Sequence, residues 1–314
     1  MKNFIKKTLT CLLPILVVAL MMEILLRMIP NDYTNKRQFL DKHASEIQTL
    51  ILGSSHTFYG LNPEYFSTKT YNAAYISQSV NLDYEIFMKY SDQFKKLKTV
   101  IVPVSYFSLF EQLEDESERW REKDYVIYCG IHKSKSIKDY SEVLSNRLDV
   151  NTERLISYYL KKEPNTSGSE FGWGTNYNSS KQKDLVESSL IAAKRSTVAN
   201  PDSPEIRKIF KENQQDLSLI IKWCEQHSVR VLILTPPAYR AYRENLDPKQ
   251  LKKTISDTKT ICSKFKNCLY LDLLDDDRFT AADFYDGDHL SEVGAKKLSL
   301  IVNDRINHWE TDSK

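Results

Sequence analysis

The chain has 314 residues, with 41% apolar and 27% charged side chains and a formal net charge of +2. That length holds one large α/β domain with an anchor, or one domain with a substantial insertion. The near-neutral balance excludes a partner held by a strong net field, and no nucleic-acid footprint is visible. Charge is concentrated only in the run from Glu111 to Asp124, which reads as a solvated helix or loop face.

At the N-terminus, Lys2, Lys6 and Lys7 precede an apolar run from Leu9 to Met22 that resumes after Glu23 with Ile24, Leu25 and Leu26. About 20 such residues cross a hydrocarbon core. A cleaved signal peptide is the competing reading, but Glu23, Arg27, Met28 and Ile29 stand where a small-residue cleavage site would be. Residues 1–30 are therefore expected to be an uncleaved single-pass anchor in the cytoplasmic membrane. The lysines place its N-terminus in the cytoplasm and everything after Pro30 outside.

Residues 31–46 are polar and read as a linker with a short helix. An α/β domain is expected over 47–310, with an insertion at about 107–203. Thr49–Leu52 reads as a buried strand, Thr70–Ala74 as a second, and Val80–Phe94 as a helix with Leu82, Ile86, Phe87, Tyr90 and Phe94 at helical spacing. Thr99–Val104 is a third strand and Val229–Thr235 a fourth, preceded by a long helix over Pro204–His227. A helix over Pro248–Phe265 leads to a short strand at Leu269–Leu271, and Ser291–His308 closes the chain as a helix capped by Ser291 or Asp288. Strands separated by long helices imply parallel pairing, so the fold class is a three-layer α/β/α sandwich on a five-stranded parallel sheet.

The insertion shows helix-like stretches and contains an aromatic, glycine-rich loop from Gly168 to Tyr177. This loop is either a sugar-stacking or lid surface, with Trp173 and Asn176 as lining candidates, or a surface turn on which Trp173 packs locally. Cys262 and Cys268 could close a short loop in an oxidising compartment or remain as two thiols at a helix end. No cysteine or histidine spacing suggests a metal site, and no cofactor is indicated.

Two segments carry the chemistry. Leu50-Ile51-Leu52-Gly53-Ser54-Ser55-His56 is a strand running into a small-residue turn, and Asp286-Gly287-Asp288-His289 is a turn entering a helix. A serine hydroxyl is a poor nucleophile until an imidazole takes its proton and a carboxylate fixes the imidazole's tautomer. Ser55 as nucleophile, His289 as base and Asp286 as orienter supply the three parts. Asp288 is the alternative carboxylate, expected to face solvent or cap the last helix. His56 is a further substrate-lining candidate.

Gly53-Ser54-Ser55-His56 resembles the first block of the SGNH/GDSL hydrolase superfamily, in a form found among membrane-anchored members, and Asp286-Gly287-Asp288-His289-Leu290 resembles its last. Asn72-Ala73-Ala74 is similar to the second block and Thr235-Pro236-Pro237 to the end of the fourth strand, so the likeness spans roughly 47–106 and 204–308. It implies the same triad, Ser55, Asp286 and His289. The family's second block carries a glycine and its third an asparagine, whereas this chain has Ala73, Ala74 and Ser77, then Pro103-Val104-Ser105-Tyr106. Ser55, Asn72, Ala74 and Ser105 are therefore the candidates for holding an oxyanion.

The resemblance implies a serine acyl-esterase or acyltransferase that adds or removes acyl groups, usually acetyl, on a cell-surface or secreted polysaccharide. A transferase working beside a membrane-embedded acyl-supply or export partner suits the tether and the insertion. The other reading is a catalytically idle fold that binds glycan or scaffolds an envelope assembly complex.

Overall fold

The computed structural model describes residues 1–115, 117–131 and 134–309. Residue 310 of the expected domain and residues 116, 132 and 133 of the expected insertion lie outside the described residues. In chain order the elements are α1 (Lys2–Arg27), α2 (Asp32–His43), β1 (Thr49–Ile51), α3 (Ser55–Gly60), β2 (Thr70–Asn72), α4 (Val80–Tyr90) and β3 (Thr99–Pro103). There follow α5 (Glu122–Asp124), α6 (Glu142–Ser145), α7 (Leu148–Leu155), α8 (Leu185–Ser196), α9 (Pro204–Gln226), β4 (Arg230–Thr235), α10 (Arg240–Glu244), α11 (Pro248–Cys262), β5 (Cys268–Asp272) and α12 (Glu292–His308). The chain divides into two compact units, one of Met1–Gln38 with Ser117–Thr166, the other of the described residues within Phe39–Glu116 and Ser167–Lys314. The stretch expected as a single insertion, 107–203, is thus shared: 117–166 groups with the N-terminal helix, and the rest belongs with the sheet.

In the larger unit the strands form one parallel sheet in the order β2-β1-β3-β4-β5, the α/β architecture expected from the alternation of strands and helices. The β-branched runs explain why these segments pair: Val100, Ile101 and Val102 in β3 and Val231, Leu232 and Ile233 in β4 are all fully buried, as strands covered on both faces must be. Ile51, Ile101, Leu232 and Leu234 pack against Leu298, Val302 and Ile306 of α12 on one face. Helices α4, α9 and α11 cover the other: Phe87 meets Trp223, and Gln214 bonds Asp257. Helix starts are set by caps, with Ser203 before Pro204, Asp247 before Pro248, and Ser291 rather than Asp288 before Glu292. Cys262 and Cys268 form a disulfide with Cα atoms 5.3 Å apart, joining the end of α11 to the start of β5.

In the smaller unit, Lys6–Arg27 within α1 is long and apolar enough to cross a membrane, the one such helix among the described residues. A signal sequence passes the same test of length and composition. The charged run expected to be a solvated face is partly buried: Glu122, Lys123 and Asp124 all lie inside. Lys123 pairs with Asp124 and with Glu142, which also takes Arg154 and the Tyr128 hydroxyl. Burial opposes ionisation of Glu142, but Arg154 and Lys123 outweigh it and hold its carboxyl down at about 2.

Candidate active site

In a parallel sheet the crevice forms at the carboxyl ends of strands where the connections part in opposite directions. Here that point lies between β1 and β3, because the chain leaves β1 for the edge strand β2 and then returns across to β3. Gly53 ends the β1 segment with φ +113°, and a Cβ there would lie 2.0 Å from Cγ of Pro103. Only glycine fits the backbone so close to β3. Its N–H donates to Asp83 Oδ1 at 2.7 Å, and Gln78 Nε2 donates to the same oxygen. Burial pushes the Asp83 carboxyl up to about 7 despite those two bonds. Ser54 then caps α3, and Ser55 is the first residue of that helix.

The base arrives on the loop before α12. Phe284 and Leu290 bridge, and Tyr285 N–H donates to the carbonyl of His289, closing a tight turn. Gly287 allows the turn to lie on α8: its N–H donates to Ser188 Oγ, and a Cβ would come within 2.4 Å of Ser189 Cα. Asp286 Oδ1 accepts from the His289 amide at 3.0 Å and sits 2.8 Å from Nδ1. Nε2 lies 2.8 Å from Ser55 Oγ. The structure therefore brings Ser55, His289 and Asp286 together in hydrogen-bonding order.

A second acid–imidazole pair adjoins the first. Asp288 faces neither solvent nor the helix cap; it is buried, with Oδ1 3.2 Å from His289 Nδ1 and Oδ2 2.9 Å from Arg195 Nη2 and 3.4 Å from His56 Nε2. His56 Nδ1 lies 2.7 Å from Ser105 Oγ. Since a carboxylate accepts at Nε2, neutral His56 carries its proton there and Nδ1 accepts from the Ser105 hydroxyl. Burial pushes His56 below its ordinary value, the Asp288 bond opposing. His289 goes the other way: burial works against its charged form, but Asp288 and then Asp286 outweigh it and raise the imidazole to about 10. Burial likewise opposes ionisation of Asp288, yet the two histidines hold it well below the usual carboxylate range.

The oxyanion candidates need correction. Asn72 is fully buried and its amide nitrogen donates to the carbonyls of Thr57 and Leu61, each at 2.8 Å, while its oxygen accepts the Ala74 N–H. Neither Asn72 nor Ala74 has a donor left. The Ser105 N–H donates to Ser108 Oγ and its hydroxyl serves His56. Ser55 retains a backbone N–H with no partner among the described residues.

The lining candidates change as well. His56 is buried within the second pair. The indole N–H of Trp173 donates to the carbonyl of Tyr59 at 2.7 Å, so the loop is tied to α3, and Asn176 is exposed. The aromatic group beside His289 is instead Tyr177, stacked between Tyr59 and Tyr285 at 3.6 and 4.1 Å and edge-on to the imidazole at 5.3 Å. Arg195 is the other residue the sequence did not single out; it sits on α8, far along the chain from Asp288, with no local motif to mark it.

His56, Asp288 and His289 offer ligand atoms within 4.8 Å of one another, among the described residues a group able to hold a metal by spacing alone. Each of those side chains is already bonded within the protein, and the Arg195 guanidinium lies on the shared carboxylate. That donor set does not fit a divalent cation as it stands.

No protein-family model matches this chain, and no curated protein does. Among solved structures, one from Streptococcus pneumonia, provisionally named a platelet activating factor, is similar at 12% identity and TM-score 0.43, covering 95% of this chain and 98% of the other. A Bacteroides fragilis protein provisionally named an acylhydrolase is similar at 9% identity and TM-score 0.42, covering 86% of this chain and 95% of the other. Likeness at that level assigns no activity, which leaves the chemistry to the residues of the site.

Proposed function

We propose that the protein is an extracytoplasmic serine acyl-esterase or O-acyltransferase that acts on an acylated surface or secreted polysaccharide through an acyl-Ser55 intermediate. The observation that carries this reading is the unbroken bond sequence Ser55 Oγ, His289 Nε2, His289 Nδ1, Asp286 Oδ1, each link 2.8 Å. His289 takes the Ser55 proton as Oγ attacks the acyl carbon, and the Ser55 N–H, without a partner among the described residues, receives the developing oxyanion. The imidazolium then protonates the departing oxygen, and the freed base activates a sugar hydroxyl or water to release the acyl group. Asp288 and Asp286 favour the imidazolium, so they stabilise His289 once it has taken the Ser55 proton. The long apolar helix supports a tether, and the lysines before it support an outward-facing domain.

Covalent labelling of the full chain with a fluorophosphonate tests the reading. Wild type should be modified at Ser55, and labelling should vanish in Ser55→Ala and His289→Ala. A folded wild type that never labels, even at alkaline pH, would refute it. One observation favours an idle, glycan-binding fold: Asn72, Ala74 and Ser105, three of the four expected oxyanion donors, are engaged elsewhere. That reading requires Ser55→Ala to keep full function in the cell.

A further inference from the structure

We propose that the face of the smaller unit bearing Ile137, Tyr140, Leu144 and Leu148 beds in the headgroup and upper acyl region of the bilayer that α1 crosses; this rests on reading α1 as a span. From Lys6 to Met22 the helix rises about 25 Å at ~1.5 Å per residue, close to the ~30 Å of a hydrocarbon core. Glu23 follows at that boundary, and its carboxylate is fully engaged. It accepts from Ser141 Oγ at 2.8 Å, from the Glu142 N–H at 3.1 Å and from the Val143 N–H at 2.9 Å, and it pairs with Arg27. Arg27 Nη2 donates to the Tyr140 carbonyl and the Tyr159 hydroxyl to the Leu25 carbonyl.

These bonds fix the start of α6 at the depth of Glu23, which is the membrane–water boundary, and give an acid at the end of a span the partners it requires there. The apolar side chains next to that contact point outward: Ile137 is 79% exposed, Tyr140 48%, Leu144 58% and Leu148 68%. Large apolar groups gathered at one place on a surface mark something that covers them. What covers them here is continuous with α1, whose own apolar residues are exposed for the same reason. Lys135, Lys138 and Arg147 are exposed among them and suit the phosphate level, with their stems on the acyl boundary.

The test is photocrosslinking of the full-length protein in nanodiscs of phosphatidylcholine that carries a diazirine in its acyl chain, with adducts mapped by mass spectrometry. Adducts are expected on α1 and on the peptide spanning 137–148, and Leu144→Ser/Leu148→Ser should lower the second severalfold while leaving the first unchanged. Adducts on α1 with none on 137–148 would overturn the proposal and leave the span standing. Adducts on neither would overturn the span itself. Crosslinks from Lys138 to a second protein in native membranes, without lipid adducts, would replace lipid by a protein partner and overturn the proposal.

Discussion

Asp288→Asn removes one of the two charges on His289 while leaving an oxygen that still accepts from Arg195 and His56. His289 Nδ1 lies 2.8 Å from Asp286 and 3.2 Å from Asp288, and the Asp288 charge is the largest single cause lifting it to about 10. A full charge at 3.2 Å is worth on the order of 5 kcal/mol at an effective dielectric of ~20. Arg195 and His56 share that carboxylate, so about half of this reaches His289, which moves the acid limb of reactivity down by roughly 2 pH units, or ~2.7 kcal/mol. The neutral imidazole fraction at neutral pH then rises ~100-fold, and a base weakened by the same amount gives back about 10-fold if half its basicity is felt in the transition state. The assay is the second-order rate of fluorophosphonate labelling followed from acid to alkaline pH. Labelling by Asp288→Asn near neutrality should exceed wild type by ~10-fold and fall behind it only at high pH. A limb that stays in place with full labelling would show that Asp288 does not act on His289, and the reasoning fails; a limb displaced upward fails it more directly.

His56→Leu deletes the donor to Asp288 Oδ2, throws that carboxylate's charge more fully on His289, and should move the same limb up by about half a pH unit to one. His56→Gln, which retains an N–H, should restore most of it, and equal profiles for the two variants would remove His56 from this role. Asp83→Asn keeps the acceptor for the Gly53 and Gln78 donors. Its wild-type carboxyl, pushed up to about 7, stays protonated in the folded state where the unfolded chain has released the proton. Stability should therefore fall from about pH 4 through about 7 by up to ~4 kcal/mol in wild type and stay level in the variant. Melting temperatures at mildly alkaline pH should favour Asp83→Asn, and the reverse order would count against a buried neutral acid. Gly53→Ala must place its Cβ into Pro103 at φ +113°, so a loss of ~3 kcal/mol or more is expected in denaturant melts. Unchanged stability would mean that the turn does not need glycine.

The sheet was legible because its strands are continuous apolar runs separated by helices with their own caps. Thr99–Pro103 and Arg230–Thr235 carry β-branched residues on both faces, a pattern that suits a strand covered by helices on either side. The division of residues 107–203 between two units was not legible. Periodicity reports which residues are inward, whereas the contacts that join 117–166 to α1 are polar and distant in sequence, such as Glu23 on the amides of 142 and 143. The buried Lys123–Glu142–Arg154 group misled for the same reason: a charged run looks solvated until its partners arrive from elsewhere in the chain.

At the site, legibility stopped where local turns ended. The Asp286–His289 bond is a matter of one turn, and Ser55 meets it because the β1 end and the loop before α12 both face the crevice where the connections diverge. Adjacency to His289 suggests that Asp288 points to solvent or caps the last helix, but the Gly287 turn carries both acids to one imidazole. Asn72 is an oxyanion candidate because the glycine and asparagine of the resembled family are missing here, yet its two nitrogen bonds close the α3 loop onto β2. The same fully buried amide cannot hold the loop and meet a substrate oxygen. On the proposed reading, Ser55 and His289 act beside a sparse oxyanion site, and a donor or partner that brought a further N–H to the crevice would raise the rate.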